Sequence, residues 1–366
     1  MRVAVDAREL CGRATGVGRY LAGLLEAWAD NTTAQRHQWL LYAHARPAVP
    51  DRWDPQVRVI AGSGGTAWEQ FSLPRALSSD RPDVVFAPGY TAPLTVAAPI
   101  VLTVHDVSFF AHPEWFSFRE GTRRRLLTAW SARRARKVIT DSEFSKSEML
   151  RHVGIERAKI TSIPPGVDRA HHESRRLDSE SRRGPMVLYV GSIFERRRVD
   201  QLIDAFDIVA GQVPGATLEV VGENRTRRPR LDLEAQRLRL THPDRVHIRS
   251  YVDEATLRSL YQQAAVLVLL SEYEGFGFTP LEALASGVTP LVLDTPIARE
   301  TCGEAARYVS PAAPVVQVAE AITELLTNPP ARAQILRHAP DVLSRYDWDL
   351  TAAETLKVIE EAAVGR

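Results

Sequence analysis

The chain has little cysteine, almost no lysine and no long apolar run, and each shortage narrows what it can be. Its two cysteines, Cys11 and Cys302, lie far apart and match no metal-ligand spacing, which argues against a disulfide framework and fits a reducing compartment. No stretch approaches the ~18 uninterrupted apolar residues of a spanning helix. The opening residues read directly as a strand, with no basic-then-apolar leader, so the expectation is a cytoplasmic protein. Charge of one sign is lacking too: 46 basic against 45 acidic residues leave a net charge of +1, which favours no partner globally and argues against a nucleic-acid-binding protein. Only Lys137, Lys146, Lys159 and Lys357 are lysines, so arginine supplies 42 of the 46 basic residues. The sequence shows neither an internal repeat nor a low-complexity tract.

What is present is alternation. A length of 366 residues with 45% hydrophobic content suits two globular domains. In the first half, strand-like runs fall at Val3–Val5, Trp39–Ala43, Val57–Ile60, Val84–Ala87, Ile100–Val104 and Val138–Thr140, separated by helix-length segments. The polar stretch from Asp168 to Gly184 has almost nothing to bury and marks a boundary. The pattern resumes at Met186–Val190, Thr217–Val221, Val246–Ile248, Val266–Leu270 and Thr289–Leu293, and a helix is expected over Asp349–Ala363. Such order predicts parallel βαβ units in two doubly wound α/β domains. Ligands of these sheets bind beyond the carboxyl ends of the strands.

One segment carries most of the chemistry. In Ser271-Glu-Tyr-Glu-Gly-Phe-Gly-Phe-Thr-Pro-Leu-Glu-Ala-Leu-Ala-Ser-Gly287, two glutamates, Glu274 and Glu282, flank a glycine-rich bend between a buried strand and a helix start. Thr279, Pro280 and Glu282 read as N-cap, N1 and N3 of that helix. Gly275 and Gly277 let backbone approach a ligand, and the free N–H groups of the helix favour a diphosphate. The same residues also permit a plainer reading, in which Thr279 and Glu282 form a capping box and Glu274 is a loop charge.

The Glu-x7-Glu spacing around Gly-Phe-Gly resembles the signature of the retaining glycosyltransferases of family 4, which have the GT-B fold. The resemblance extends through Arg2-Val-Ala-Val-Asp-Ala-Arg8, Thr15-Gly-Val-Gly-Arg-Tyr20, Val104-His-Asp-Val107, His112-Pro-Glu-Trp115, Asp141-Ser-Glu-Phe-Ser145, Pro164-Pro-Gly-Val-Asp168, Val190-Gly-Ser192 and Gly303-Glu-Ala-Ala306. It is closest in order to mannosyltransferases of polysaccharide synthesis. It implies two Rossmann-like domains facing across a cleft: residues 1–170 for the acceptor, 185–345 for the nucleotide-sugar donor, and 346–366 crossing back to the first. It implies a donor such as GDP-mannose, with dTDP- and UDP-sugars or a nucleotide-sugar epimerase or hydrolase as alternatives, a glycan or lipid-linked acceptor, and no cofactor or divalent metal.

Carried onto this sequence, the resemblance assigns Glu274 to the donor sugar and Glu282 to the ribose hydroxyls. Gly275, Phe276, Gly277, Phe278 and Thr279 shape the bend, and Gly191 and Ser192 open the loop Gly191-Ser-Ile-Phe-Glu-Arg-Arg-Arg198, from which Arg196 and Arg197 reach phosphate. The family has an arginine followed by a lysine here, so Arg197 departs from the pattern while keeping the charge. Arg198 reads as solvated. Gly16 and Gly18, with Arg19, close the cleft from the other domain, His105 lies near the transferred sugar, and Tyr251 and Val252 border the nucleobase. No residue stands as an enzyme nucleophile, which favours a front-face route to retention.

Two motifs are declined. Asp347-Trp348-Asp349 has a cation-binding pattern but precedes the last helix, where Asp349 reads as N-cap; Gly16-Val-Gly18 lacks a third dinucleotide-type glycine because Leu21 stands there. Finally, Arg119, Arg123, Trp130, Arg133, Arg134 and Lys137 fall within an arc of about 100° if residues 119–137 form one helix. That stripe suits an anionic membrane surface or a solvated arginine face, and it keeps an arginine-rich nucleic-acid-binding protein as the non-enzyme alternative.

Overall fold

The computed structural model describes residues 1–12, 15–167, 183–227 and 230–364. The chain divides into two compact units: Met1–Gly166 with Tyr346–Arg366, and Val167–Arg345. Most of the polar stretch taken as a boundary, residues 168–182, lies outside the described residues.

Unit 1 contains β1 (Arg2–Asp6), β2 (Gln38–Ala43), β3 (Gln56–Val59), β4 (Val84–Ala87), β5 (Ile100–Thr103), β6 (Lys137–Thr140) and β7 (Ile160–Ser162). Unit 2 contains β8 (Met186–Val190), β9 (Thr217–Val221), β10 (Val246–Arg249), β11 (Val266–Leu269), β12 (Thr289–Leu293) and β13 (Arg307–Val309). Both sheets are parallel, in the orders β3-β2-β1-β4-β5-β6-β7 and β10-β9-β8-β11-β12-β13. These are doubly wound α/β units, so the expected fold class holds. Central strands such as β4, β5 and β11 are buried along their whole length, because helices cover both faces.

The sequence did not mark β7 and β13. Each is a three-residue strand at a sheet edge, too short for an apolar run to stand out. Arg183, at the end of the polar stretch, does have work inside the fold. Its guanidinium donates to the carbonyls of Tyr261, Ala264 and Ser286, closing the carboxyl ends of the Glu254–Gln263 and Phe278–Ala285 helices.

The last helix, Trp348–Val364, packs within unit 1, where Trp28 Nε1 donates to Ala352 O and Thr351 Oγ1 donates to Pro164 O. Its cap is Asp347 rather than the expected Asp349: Asp347 Oδ1 accepts from the N–H groups of Asp349 (2.9 Å) and Leu350 (3.3 Å). The Trp348 indole is slotted by two glycines, since a Cβ on Gly23 or Gly166 would fall about 2.5 Å from its atoms. The arginine-rich helix is shorter than expected. It spans Phe118–Arg134, and Lys137 instead opens β6 and faces Glu361, so Lys137 leaves the stripe.

Candidate active site

In unit 2 the chain reverses winding direction between β8 and β11, which leaves an opening at their carboxyl ends. Two loops meet there. The first leaves β8 through Gly191, whose φ of 135° and proximity to Arg197 exclude a side chain: a Cβ would lie 2.5 Å from Arg197 Nη1. Gly222 serves the same approach from β9, where a Cβ would meet Gly191 O at 1.9 Å. The second loop leaves β11 through Ser271 and Glu274.

The loops are joined by an ion pair. Arg197 Nε donates to Glu274 Oε1 at 2.7 Å, Ser271 Oγ donates to the same oxygen at 2.8 Å, and Arg197 Nη1 donates to Ser192 O at 3.1 Å. Arg197 and Glu274 are 15% and 16% exposed, and Glu272 N–H donates to Arg196 O alongside. Burial would raise the Glu274 carboxyl, but Arg197 and Arg196 hold it below the ordinary carboxylate range. Arg196 and Arg197 both lie over the Phe194 ring, at 4.4 and 5.9 Å from its centroid. Arg198 turns aside to Glu272 and Pro311 O.

The helix beyond the bend spans Phe278–Ala285 and starts two residues earlier than expected. Gly277, at φ 91°, is its N-cap, with no side-chain cap, so Thr279 is not the cap and the Thr279–Glu282 capping box does not form. Glu282 Oε2 instead accepts from Tyr261 OH at 3.1 Å. Phe276 is buried and meets Phe278 edge-on at 5.1 Å. Tyr251 is 72% exposed just after the edge strand β10, and Val252 packs on the unit 2 core.

Unit 1 has its own winding reversal between β1 and β4. Asp6 ends β1, and Arg8 pairs with both Asp6 and Glu69, while Thr91 Oγ1 donates to Glu69 Oε1 at 2.6 Å. Two carboxylates thus share one guanidinium in the interior. Burial pushes the Asp6 carboxyl up to about 6, even against the pull of Arg8. Thr15 caps the Gly16–Asp30 helix by accepting from Gly18 N–H. Gly18 is required locally, because a Cβ would lie 2.5 Å from Glu9 O, whereas a Cβ on Gly16 meets nothing within 4 Å.

His105 follows β5 and is 12% exposed. Its Nδ1 is 2.8 Å from Asp141 Oδ2 and its Nε2 is 2.8 Å from Pro88 O. Asp106 Oδ2 accepts from the OH of Tyr90, a non-glycine residue held at φ 59° where β4 ends. The sequence named His105, Arg197 and Glu274, which the structure places beside strand ends, but not Asp141, Ser271, Glu69 or Tyr90, which stand around them or at the unit 1 reversal. Asp141 stood in a quoted motif, and its position after a strand was the available signal; Glu69 and Tyr90 offered none.

Comparison with known proteins identifies the family. A model described as Glycosyltransferase Family 4 matches residues 14–171, and one described as Glycosyl transferases group 1 matches residues 173–341. The Mycobacterium tuberculosis glycogen synthase is 31% identical over 301 residues, covering 78% of this chain and 70% of that protein. The GDP-mannose:cellobiosyl-diphosphopolyprenol alpha-mannosyltransferase of Komagataeibacter xylinus is 28% identical over 271 residues, covering 70% and 66%. Among solved structures, the sucrose-phosphate synthase of Thermosynechococcus elongatus matches with a TM-score of 0.78 at 19% identity, covering 99% and 98% of the two chains. An Anabaena protein solved with UDP and glucose matches at 0.76 and 20% identity, covering 99% and 100%. With winding reversals on both sheets, a glutamate and an arginine joined at one of them, and these matches along its length, the chain belongs to glycosyltransferase family 4 and is a glycosyltransferase of the GT-B fold.

Proposed function

We propose that this enzyme transfers mannose from GDP-mannose, with retention of configuration, to a glycan or lipid-linked acceptor in polysaccharide synthesis. The observation that carries the reading is the Arg197–Glu274 pair at the β8/β11 opening. Arg196 and Arg197 suit the oxygens of a leaving diphosphate, and the N–H groups of Phe278 and Thr279 at the glycine-capped helix start add positive potential. Glu274 would orient the transferred sugar, with Gly191, Ser192, Gly275, Phe276 and Gly277 forming the backbone surface around it. Glu282 would take the ribose hydroxyls, and Tyr251 and Val252 the base. Unit 1, with Gly16, Gly18 and His105, would receive the acceptor. Guanidiniums and helix amides can supply the countercharge to diphosphate, so turnover is expected to survive chelation of divalent cations.

Retention through a front-face route fits the state of Glu274. A carboxylate bound by Arg197 and Ser271, with its basicity reduced, is a poor nucleophile and a poor proton acceptor. It can still stabilise positive charge growing at the anomeric carbon.

Mannose is favoured because mannosyltransferases recur among the relatives, including the phosphatidyl-myo-inositol mannosyltransferase of Mycobacterium tuberculosis at 29% identity over 211 residues. The glycogen synthase relative supports a glucose donor as a second reading. Thermal-shift measurements with GDP-mannose, dTDP- and UDP-sugars and the bare nucleotides decide between them. A specific donor at a hundred times its Kd stabilises by about 2.7 kcal/mol. Stabilisation by a UDP-sugar alone would replace the mannose assignment, and stabilisation by none would overturn the donor site.

Among the described residues no helix is long and apolar enough to cross a membrane. The Phe118–Arg134 helix nevertheless exposes Phe118 (83%), Leu126 and Trp130 among Arg119, Arg123, Arg133 and Arg134. Such a face would hold unit 1 against anionic headgroups at the cytoplasmic side, where nucleotide sugars are made. Part of its charge is otherwise engaged: Arg123 donates to Thr66 Oγ1, Arg133 to Val153 O and Arg134 to Val96 O.

A further inference from the structure

We propose that Asp141 is a positioning residue that keeps His105 as a doubly protonated cation, and that this cation ties together the carboxyl ends of β4, β5 and β6. The inference rests on the reading that places His105 in the reaction site, and it assigns the form in which the ring acts.

The argument starts from the partners of the two ring nitrogens. Pro88 O is a peptide carbonyl, which only accepts, so Nε2 at 2.8 Å must carry hydrogen. Asp141 Oδ2 at 2.8 Å is a carboxylate oxygen, an acceptor, so Nδ1 carries hydrogen as well. Both nitrogens therefore donate. The charge count agrees: Asp141 is 4% exposed and its Oδ1 is buried with no hydrogen-bond partner, so the carboxylate depends on a cation beside it.

The surroundings support a retained charge. Asp106, next in the chain, is a second carboxylate near the ring, and the rings of Tyr20 and Tyr90 meet the imidazole edge-on at 5.0 and 5.5 Å. Both phenols are held protonated by burial, so they add no charge. Burial alone would lower the His105 pKa, but Asp141, the Pro88 carbonyl and Asp106 raise it above the ordinary value.

Two consequences follow. With both N–H groups engaged, His105 has no lone pair to take a proton from an acceptor hydroxyl, so it is a fixed positive charge and not a general base. The two contacts also link three strands: Pro88 follows β4, His105 follows β5 and Asp141 follows β6. Ser145 Oγ, donating to His105 O at 3.0 Å, holds the backbone of the same residue.

Asp141→Asn tests this cleanly. An asparagine can donate to Nδ1 while Nε2–H keeps Pro88, so the packing survives but the ring becomes neutral. In the full chain labelled with 15N-histidine and assigned through His105→Gln, wild-type His105 should still show both ring nitrogens protonated at a pH just above 6.5, the ordinary histidine value. In Asp141→Asn the ring should be neutral with hydrogen on Nε2, with an unchanged melting curve and turnover reduced about tenfold to a hundredfold. A neutral wild-type ring at that pH, an unchanged ring in the variant, or wild-type turnover in the variant would overturn the proposal. Full turnover in His105→Gln would instead overturn the placement of His105 in the site, a result the ring measurement does not share.

Discussion

The two units share one strand order up to the extra strand of unit 1, yet the openings at their winding reversals carry opposite chemistry. In unit 2, Arg196 and Arg197 stand around Glu274, and a glycine-capped helix start adds its N–H groups. In unit 1, Asp6 and Glu69 share Arg8, and the nearby cation, His105, is matched by Asp141 with Asp106 close by. Winding fixes where an opening lies; the side chains at strand ends decide what it holds. A surplus of guanidinium suits a diphosphate, and carboxylates with hydroxyls suit a polyhydroxylated acceptor.

The sharpest way to break this contrast is Glu274→Gln. The amide keeps the size of the side chain and removes the charge, so turnover should fall about a hundredfold or more while the protein stays folded. Near-normal turnover with acceptor and donor saturating would remove Glu274 from the reaction.

The carboxylate character of unit 1 is open to a stability measurement. Burial pushes the Asp6 carboxyl up to about 6 in the folded protein against 3.8 ordinarily, so the folded state holds the extra proton between those values. The stabilisation from this group is complete below pH 3.8 and is lost as pH rises through about 6. Asp6→Asn has no such loss, so its stability relative to wild type should improve by about 2 kcal/mol between pH 4 and pH 7, from the part of the shift those pH values span. Urea unfolding midpoints at the two pH values check it; parallel behaviour of the two proteins would show that Arg8 neutralises Asp6 fully.

The smallest effect concerns the surface. In unit 1 the Phe118–Arg134 helix exposes Phe118, Leu126 and Trp130. Sedimentation with vesicles of anionic lipid should show binding that weakens with salt, and Arg119→Gln should lower it by about 1 kcal/mol. Wild-type indifference to such vesicles would return the helix to an ordinary solvated face.

Legibility followed residue spacing. Long buried strands such as Met186–Val190 and Thr289–Leu293 were placed to the residue, because a continuous apolar run between helix-length segments has few other meanings. Caps were read less well. Thr279 and Asp349 each have the side chain of an N-cap, yet Gly277 and Asp347 do that work, because the backbone bend preceding each helix decides where its first turn begins. The Glu274 and Arg197 positions were legible as a motif; their ion pair was not, since the two residues lie 77 positions apart.

The order of apolar runs and the composition of the strand-end loops were enough to determine two doubly wound sheets and to nominate Glu274, Arg197 and His105, because burial and backbone freedom are local demands written into local residue types. Only the tertiary structure decided the partners: that Arg197 meets Glu274, that Glu69 and Asp6 share Arg8, and that Asp141 and Pro88 O engage the two nitrogens of His105. Charge state depends on what stands within a few ångströms in the folded interior, and parallel sheets bring together strand ends that the sequence keeps tens of residues apart.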